Sequence, residues 1–307
     1  FVIYHKNGAQ DSTHLDVSGG WHDASDYLQY LPTSANAVYQ LLFAYQHHPD
    51  SFGDHFDRWG NAGENGIPDV LDEAKWGMDW LLKMNPAPGE YYNQLGDDRD
   101  HAGMRLPNRD SVRYTPNRAF GFSRPAYFIT GEPQGCFRYK NRTKGVTSSA
   151  GKFASAFALG SEVLAKFYPE YAGSLRQRAL DAYTFGLSKP GTTQTAPGQA
   201  PYFYEEENFV DDMELAAVEL HRLKAGGEFL AEAAEYGRAE PTTPWMGADT
   251  ARHYQWYPFV NLGHYRVAAD KAGISKQFRE FMRLGIEKVV KRGAKNPFLN
   301  GVPFIWC

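Results

Sequence analysis

Apolar residues recur three and four apart along much of the chain, the spacing that places them on one face of a helix. In Ala35-Asn36-Ala37-Val38-Tyr39-Gln40-Leu41-Leu42-Phe43-Ala44-Tyr45 this period follows directly on Pro32-Thr33-Ser34, which is helix-start chemistry. A second helix is predicted over Pro68 to Met84, with proline in its first turn, acids early and Lys83 late, where the helix dipole favours a cation. Asn85-Pro86-Ala87-Pro88-Gly89 ends it. Further helical periods run over Ser149 to Tyr168, Leu175 to Gly186, Asp211 to Leu223, Gly227 to Tyr236, Tyr257 to Ala272 and Ser275 to Arg292. Residues 89–145 are rich in Gly, Pro, Asn, Asp and Arg with no sustained period, and so read as long loops with room for short strands. Loops of that length are usually functional. Helices without strand–helix alternation predict an all-α fold, and no linker divides residues 1–307 into two domains.

Composition narrows the partners. The formal charge is −4 and Lys and Arg are scattered, so no basic face for nucleic acid is expected. No apolar run approaches the roughly 20 residues that span a bilayer, and the chain does not open on a signal-like segment. A soluble monomer is expected. Aromatic residues make up 15% of the chain, including 7 Trp and 19 Tyr, which exceeds what a core needs and suits a cleft that stacks on sugar rings. With only Cys136 and Cys307, a disulfide framework is excluded, while a single bridge is not. The start at Phe1 and the apolar end Gly301-Val302-Pro303-Phe304-Ile305-Trp306-Cys307 read as cut from something longer.

The segment Gly19-Gly20-Trp21-His22-Asp23-Ala24-Ser25-Asp26-Tyr27 places two acids three apart between aromatic side chains. Acids next to Gly and Ser commonly bond their own backbone in turns, so spacing alone leaves Asp23 and Asp26 open as turn residues. It equally allows them to hold one water, one acting as base and the other as orienter.

The whole stretch Asp16 to Tyr27 resembles the signature of glycoside hydrolase family 9, the inverting cellulase family, in which Gly-Gly-Trp-Tyr-Asp-Ala-Gly-Asp is usual; His22 and Ser25 are departures and both acids are kept. Gly66 to Leu82 resembles the family's second barrel helix, and Ser149-Ala150-Gly151-Lys152-Phe153-Ala154-Ser155-Ala156-Phe157-Ala158 a later inner helix. The resemblance implies an (α/α)6 barrel, incomplete in this chain. It implies hydrolysis of β-1,4-glucosidic bonds with inversion, with Asp26 as general base and Asp23 positioning the water. The family's catalytic acid is a Glu in an Asn-Glu segment, and nothing after Arg292 offers one. A secreted bacterial endoglucanase acting on cellulose or a related β-glucan is the expectation. Exo-acting glucosidases and a glucosaminidase of the same family, and a non-catalytic carbohydrate-binding protein on this scaffold, are the alternatives. Retention of both acids argues against the last. A polysaccharide lyase on a similar toroid lacks the Tyr, His and Arg cluster it would need.

The loop Leu95 to Pro107 resembles the one in which a His bonds the sugar beside the scissile linkage, which makes His101 a subsite residue; Met104 stands where a Trp is common. Trp21 and Tyr27 flank the acids, and Tyr204, Trp245 and Trp256 are further candidate sugar contacts, each equally suited to core packing. Glu205 to Asp212 concentrates five acids within eight residues at a helix start. Helix-start chemistry accounts for such a cluster, and so does Ca²⁺, which takes six to eight oxygens. Family members bind calcium at this helix start, which by resemblance makes Glu206, Asn208, Asp211, Asp212 and the downstream Asp249 its ligands. Zinc occurs in some relatives, but Cys136 and the His residues lack close metal-ligand spacing. Asn141-Arg142-Thr143 fits a glycosylation acceptor and, given the bacterial resemblance, reads as a chance match.

Overall fold

A computed structural model describes residues 2–4, 15–24, 26–101, 103–112, 114, 124–201, 203–242 and 261–301. Helix α1 (Leu31–His47) carries Pro32 in its first turn, where the missing N–H costs nothing. Helix α2 (Asp69–Lys83) follows Pro68 and has Asp69 and Asp72 in its first turn and Lys83 in its last. Next come α3 (Thr147–Val163), α4 (Pro169–Ser188), α5 (Val210–Arg222) and α6 (Phe229–Ala239). Helix α7 (Leu262–Ala269) is capped by Asn261, whose side chain accepts from the His264 amide, and α8 (Ser275–Gly293) follows it.

The eight described helices pair as hairpins, α1 with α2, α3 with α4, α5 with α6 and α7 with α8. The first members also touch in sequence, α1 to α3 to α5 to α7, forming an inner layer with the second members outside it. This is four hairpins of the expected six-hairpin toroid. Position in the layers sets burial. Every residue of α3 from Thr147 to Ser161, and of α5 from Asp211 to Leu220, is buried. The core between the layers includes Tyr39, Leu42, Leu71, Met78, Trp80, Phe153, Phe157 and Phe278. None of the described helices is long and apolar enough to cross a membrane.

A small sheet accompanies the helices. Its strands β1 (Val2–Tyr4), β2 (Gln29–Tyr30), β3 (Tyr92–Leu95) and β4 (Pro125–Phe128) lie in the order β1-β4-β3-β2. Strand β2 pairs antiparallel with β3, Gln29 opposite Leu95 and Tyr30 opposite Gln94, and β3 pairs antiparallel with β4. Because β2 runs directly into α1, this register carries the turn before β2 and the loop after β3 to the same end of the sheet.

Small residues let the inner helices approach. A Cβ added at Gly151 of α3 would lie 2.8 Å from the Asp212 Cβ on α5. Buried polar groups also link these helices. Tyr39 of α1 donates to Glu219 of α5, which accepts from Arg266 of α7 at 2.7 Å, and Arg266 reaches back to Gln46 of α1. Gly173, exposed on α4, has nothing within 4 Å of a Cβ. Gly151→Ala should therefore lower stability in urea unfolding by about 1–3 kcal/mol through overpacking, whereas Gly173→Ala should raise it by roughly 0.5–1 kcal/mol through helix propensity.

Candidate active site

Gly20 has φ +69°, in the left-handed region, and a Cβ there would sit 2.5 Å from Trp80 Cγ, so the chain turns over α2 at a place open only to glycine. The turn delivers Asp23 and Asp26 above the start of α1. The Asp23 amide donates to the Leu28 carbonyl, and the Leu28 amide donates to Asp26 Oδ1 at 3.1 Å. Part of what spacing suggested as turn chemistry is thus present. One oxygen of Asp23 and the other oxygen of Asp26 are engaged from far away in sequence.

Tyr204 donates its hydroxyl to Asp23 Oδ2 at 2.6 Å, and its ring meets Tyr30 edge-on at 5.0 Å. His101 Nε2 lies 3.1 Å from Asp26 Oδ2; the His101 side chain is 45% exposed against 12% for Asp26, so the pair opens outward through the imidazole. Burial pushes the Asp23 carboxyl above the usual aspartate range, the Tyr204 hydrogen bond opposes that, and the nearby Asp26 charge adds to it. Burial and the Arg124 charge lower His22, which favours its neutral form.

The other expected sugar contacts are placed differently. Trp21 donates its indole N–H to Glu73 at 2.6 Å and packs against Gly77 of α2, sharing a groove with Trp59 and Trp76. Tyr27 donates to the Arg105 carbonyl, and the guanidinium groups of Arg105 and Arg124 lie 4.8 and 5.1 Å from its ring centroid. Those arginines in turn clasp the carboxylates of the fully buried Asp100 and of Asp110. Tyr204, half-buried, spends its hydroxyl on Asp23. Trp245 and Trp256 lie outside the described residues.

The loop carrying Tyr204 is fastened on both sides. The Tyr204 amide donates to Thr195 Oγ1, Ala196 N donates to Gln94 Oε1 of β3, and Gln194 Nε2 donates to the Glu206 carbonyl. The Glu206 carboxylate meets the buried Lys152 ammonium of α3 at 2.7 Å, and both Asp212 oxygens accept from the same ammonium at 2.8 Å. Burial alone would push Lys152 down, but the Asp212, Glu206 and Asp211 charges hold it above the ordinary lysine range.

The residues expected to ligate calcium are accordingly not assembled as an open oxygen cage. Glu206 and Asp212 face Lys152, Asn208 Oδ1 accepts from the Val210 amide as a local turn, Asp211 lies in the first turn of α5, and Asp249 is outside the described residues. Among the described residues no group of three or more His, Cys, Asp or Glu is placed to hold a metal ion. Cys136 is a free thiol that bonds the Tyr127 hydroxyl and is pushed up to about 11, chiefly by burial. Asn141, the acceptor-pattern residue, is buried and donates to the Gln194 and Thr195 carbonyls. Sequence reasoning missed Lys152 and the Arg105–Arg124 clasp. A signal for the first was present, since Lys152 is the one charge in the run Ser149 to Ala158.

The family model described as Glycosyl hydrolase family 9 matches residues 3–296. A cellodextrinase from Butyrivibrio fibrisolvens is 28% identical over 230 residues, covering 74% of this chain and 37% of that protein. Endoglucanase C from Cellulomonas fimi is 28% identical over 267 residues, 83% of this chain and 21% of its own length. Among solved structures, a metagenome-derived glycoside hydrolase family 9 endoglucanase superposes with a TM-score of 0.64 at 25% identity, over 93% of this chain and 46% of that one. A single-mutant thermostable endoglucanase from Alicyclobacillus acidocaldarius gives 0.66 at 19% identity over 96% and 50% of the two chains, a likeness of fold. The chain thus spans less than half the length of these curated relatives.

In a carbon-13 NMR titration, Asp23 should take up its proton above the usual aspartate range. Tyr204→Phe, which removes the hydrogen bond favouring the charged form, should move that midpoint higher still; an unmoved midpoint would show that Tyr204 does not act on Asp23.

Proposed function

The chain belongs to glycosyl hydrolase family 9, and on that premise we propose that it carries the water-activating half of an enzyme that hydrolyses β-1,4-glucosidic bonds in cellulose or a related β-glucan with inversion, as an endoglucanase. Asp26 takes the proton of the attacking water, and Asp23 orients that water. The observation that carries this reading is the separate anchoring of the two acids, Asp23 by Tyr204 and Asp26 by His101. An ionised carboxylate offers about four acceptor positions, and the two hydrogen-bonded contacts at Asp26, to Leu28 N and His101, leave room for a water.

In an inverting reaction a second carboxyl group protonates the leaving oxygen from the other side of the bond, roughly 6.5–9.5 Å from the base. Asp23 and Asp26 sit together and do not form that opposed pair, so the donor is a third carboxyl group, the Glu implied by the family pattern. No counterpart of it is assigned within residues 1–307. His101, half-exposed beside Asp26, contacts the sugar next to the scissile linkage. The named relatives, a cellodextrinase and endoglucanases, support a β-glucan substrate. Insoluble cellulose does not cross a membrane, which supports a secreted setting.

Hydrolysis of cello-oligosaccharides by the native protein, followed by proton NMR of the anomeric signals, should show the α-anomer first. Asp26→Ala should lower kcat by on the order of 10²–10⁴-fold, the usual worth of a positioned general base. An unchanged rate in that variant, or a β-anomer formed first, would sink the mechanism.

A further inference from the structure

The three protons of the Lys152 ammonium meet three carboxylate oxygens, Glu206 Oε1 at 2.7 Å and both Asp212 oxygens at 2.8 Å, and all three side chains are buried. We propose that this ammonium is the resident cation of the acidic helix start and replaces the divalent ion that the family resemblance implies there.

Three features carry the inference. Glu206 Oε1 and both Asp212 oxygens are engaged by the ammonium, which leaves Glu206 Oε2 as the one buried oxygen of these two side chains without a hydrogen bond, whereas Ca²⁺ needs six to eight oxygens at 2.3–2.6 Å. Asn208 Oδ1 accepts from the Val210 amide at 3.1 Å, a local turn contact. A dication entering between these carboxylates would also stand against a fixed positive charge. Position completes the case. Lys152 lies on α3, Asp212 on α5, and Glu206 in the loop that presents Tyr204 to Asp23, so the ammonium spans the elements that a bound metal would have joined. A cation supplied by the chain itself does not dissociate, and stability does not then depend on free metal.

The test is thermal unfolding of the native protein in millimolar calcium and in excess chelator, with calorimetric titration of calcium, alongside Lys152→Met and Asp212→Asn. The native melting temperature should be the same in both solutions. Lys152→Met should melt roughly 5–15 °C lower, because it leaves buried carboxylates without their partner, and calcium should restore part of that loss. If Lys152→Met does not fold, Lys152→Met/Asp212→Asn removes one charge of each sign and should recover a folded protein that ignores calcium. A saturable calcium-induced rise in the native protein that Asp212→Asn abolishes would overturn the proposal, as would a Lys152→Met variant that melts like the native chain.

Discussion

The close approach of α3 and α5 governs the interior. With hydrogen alone at Gly151, the backbone of α3 lies directly against Asp212 of α5, where a Cβ would come within 2.8 Å of the Asp212 Cβ, and the polar residues of the two inner helices meet buried. Charge placed there has to be neutralised by charge, and the Lys152 cluster is the result. Removing one partner of such a buried pair typically costs about 3–5 kcal/mol, even though the pair as a whole adds little over an apolar substitute. Such an arrangement specifies geometry more than it adds stability. It fixes Glu206, Glu206 fixes the loop through Gln194, and the loop fixes Tyr204 over Asp23. A constraint on helix packing thereby becomes a constraint on the orientation of one carboxylate at the surface.

Much of the helical layer was legible in the sequence because amphipathic periodicity and proline act locally. The helix expected from Pro68 to Met84 spans Asp69–Lys83, and the one expected from Asp211 to Leu223 spans Val210–Arg222. Boundaries were lost where an apolar period ran through a break. The stretch Ser149 to Tyr168 reads as one helix, yet α3 ends at Val163 and gives way to a short 3-10 turn, because Pro169 opens α4 and forces Tyr168 out of helical angles. The sheet was not legible beyond a hint of short strands. Strands of two to four residues are defined by partners remote in sequence, and no local alternation marks them.

The site divides in the same way. Asp23 and Asp26 were singled out through the likeness of the entire segment, since a turn would use the same residues, and their backbone hydrogen bonds show that turn chemistry is present there too. His101 was placed by its loop. Tyr204 was one candidate sugar contact among several, and its hydroxyl donates to Asp23, a contact across 181 residues of sequence. Trp21 sits beside the acids in sequence, yet its N–H reaches Glu73 of α2 and its ring lines a groove with Trp59 and Trp76, neighbours that no local pattern announces. The calcium expectation came from the family likeness of this helix start, and the acids themselves do not disclose which cation faces them.

The pairing of β1 with β4 has a consequence for how the molecule comes into being. Val2 lies opposite Pro125 in a parallel pair, and Asp23 waits for Tyr204, so these residues leave a ribosome well before the neighbours they pair with. Closing such long loops costs little extra free energy, since the penalty grows only with the logarithm of length, but contacts of large sequence separation slow folding. During synthesis the acidic turn therefore stays open to water and to chaperones until the inner helices that will hold its partner have been made. Chain order and site assembly run in opposite directions in this protein.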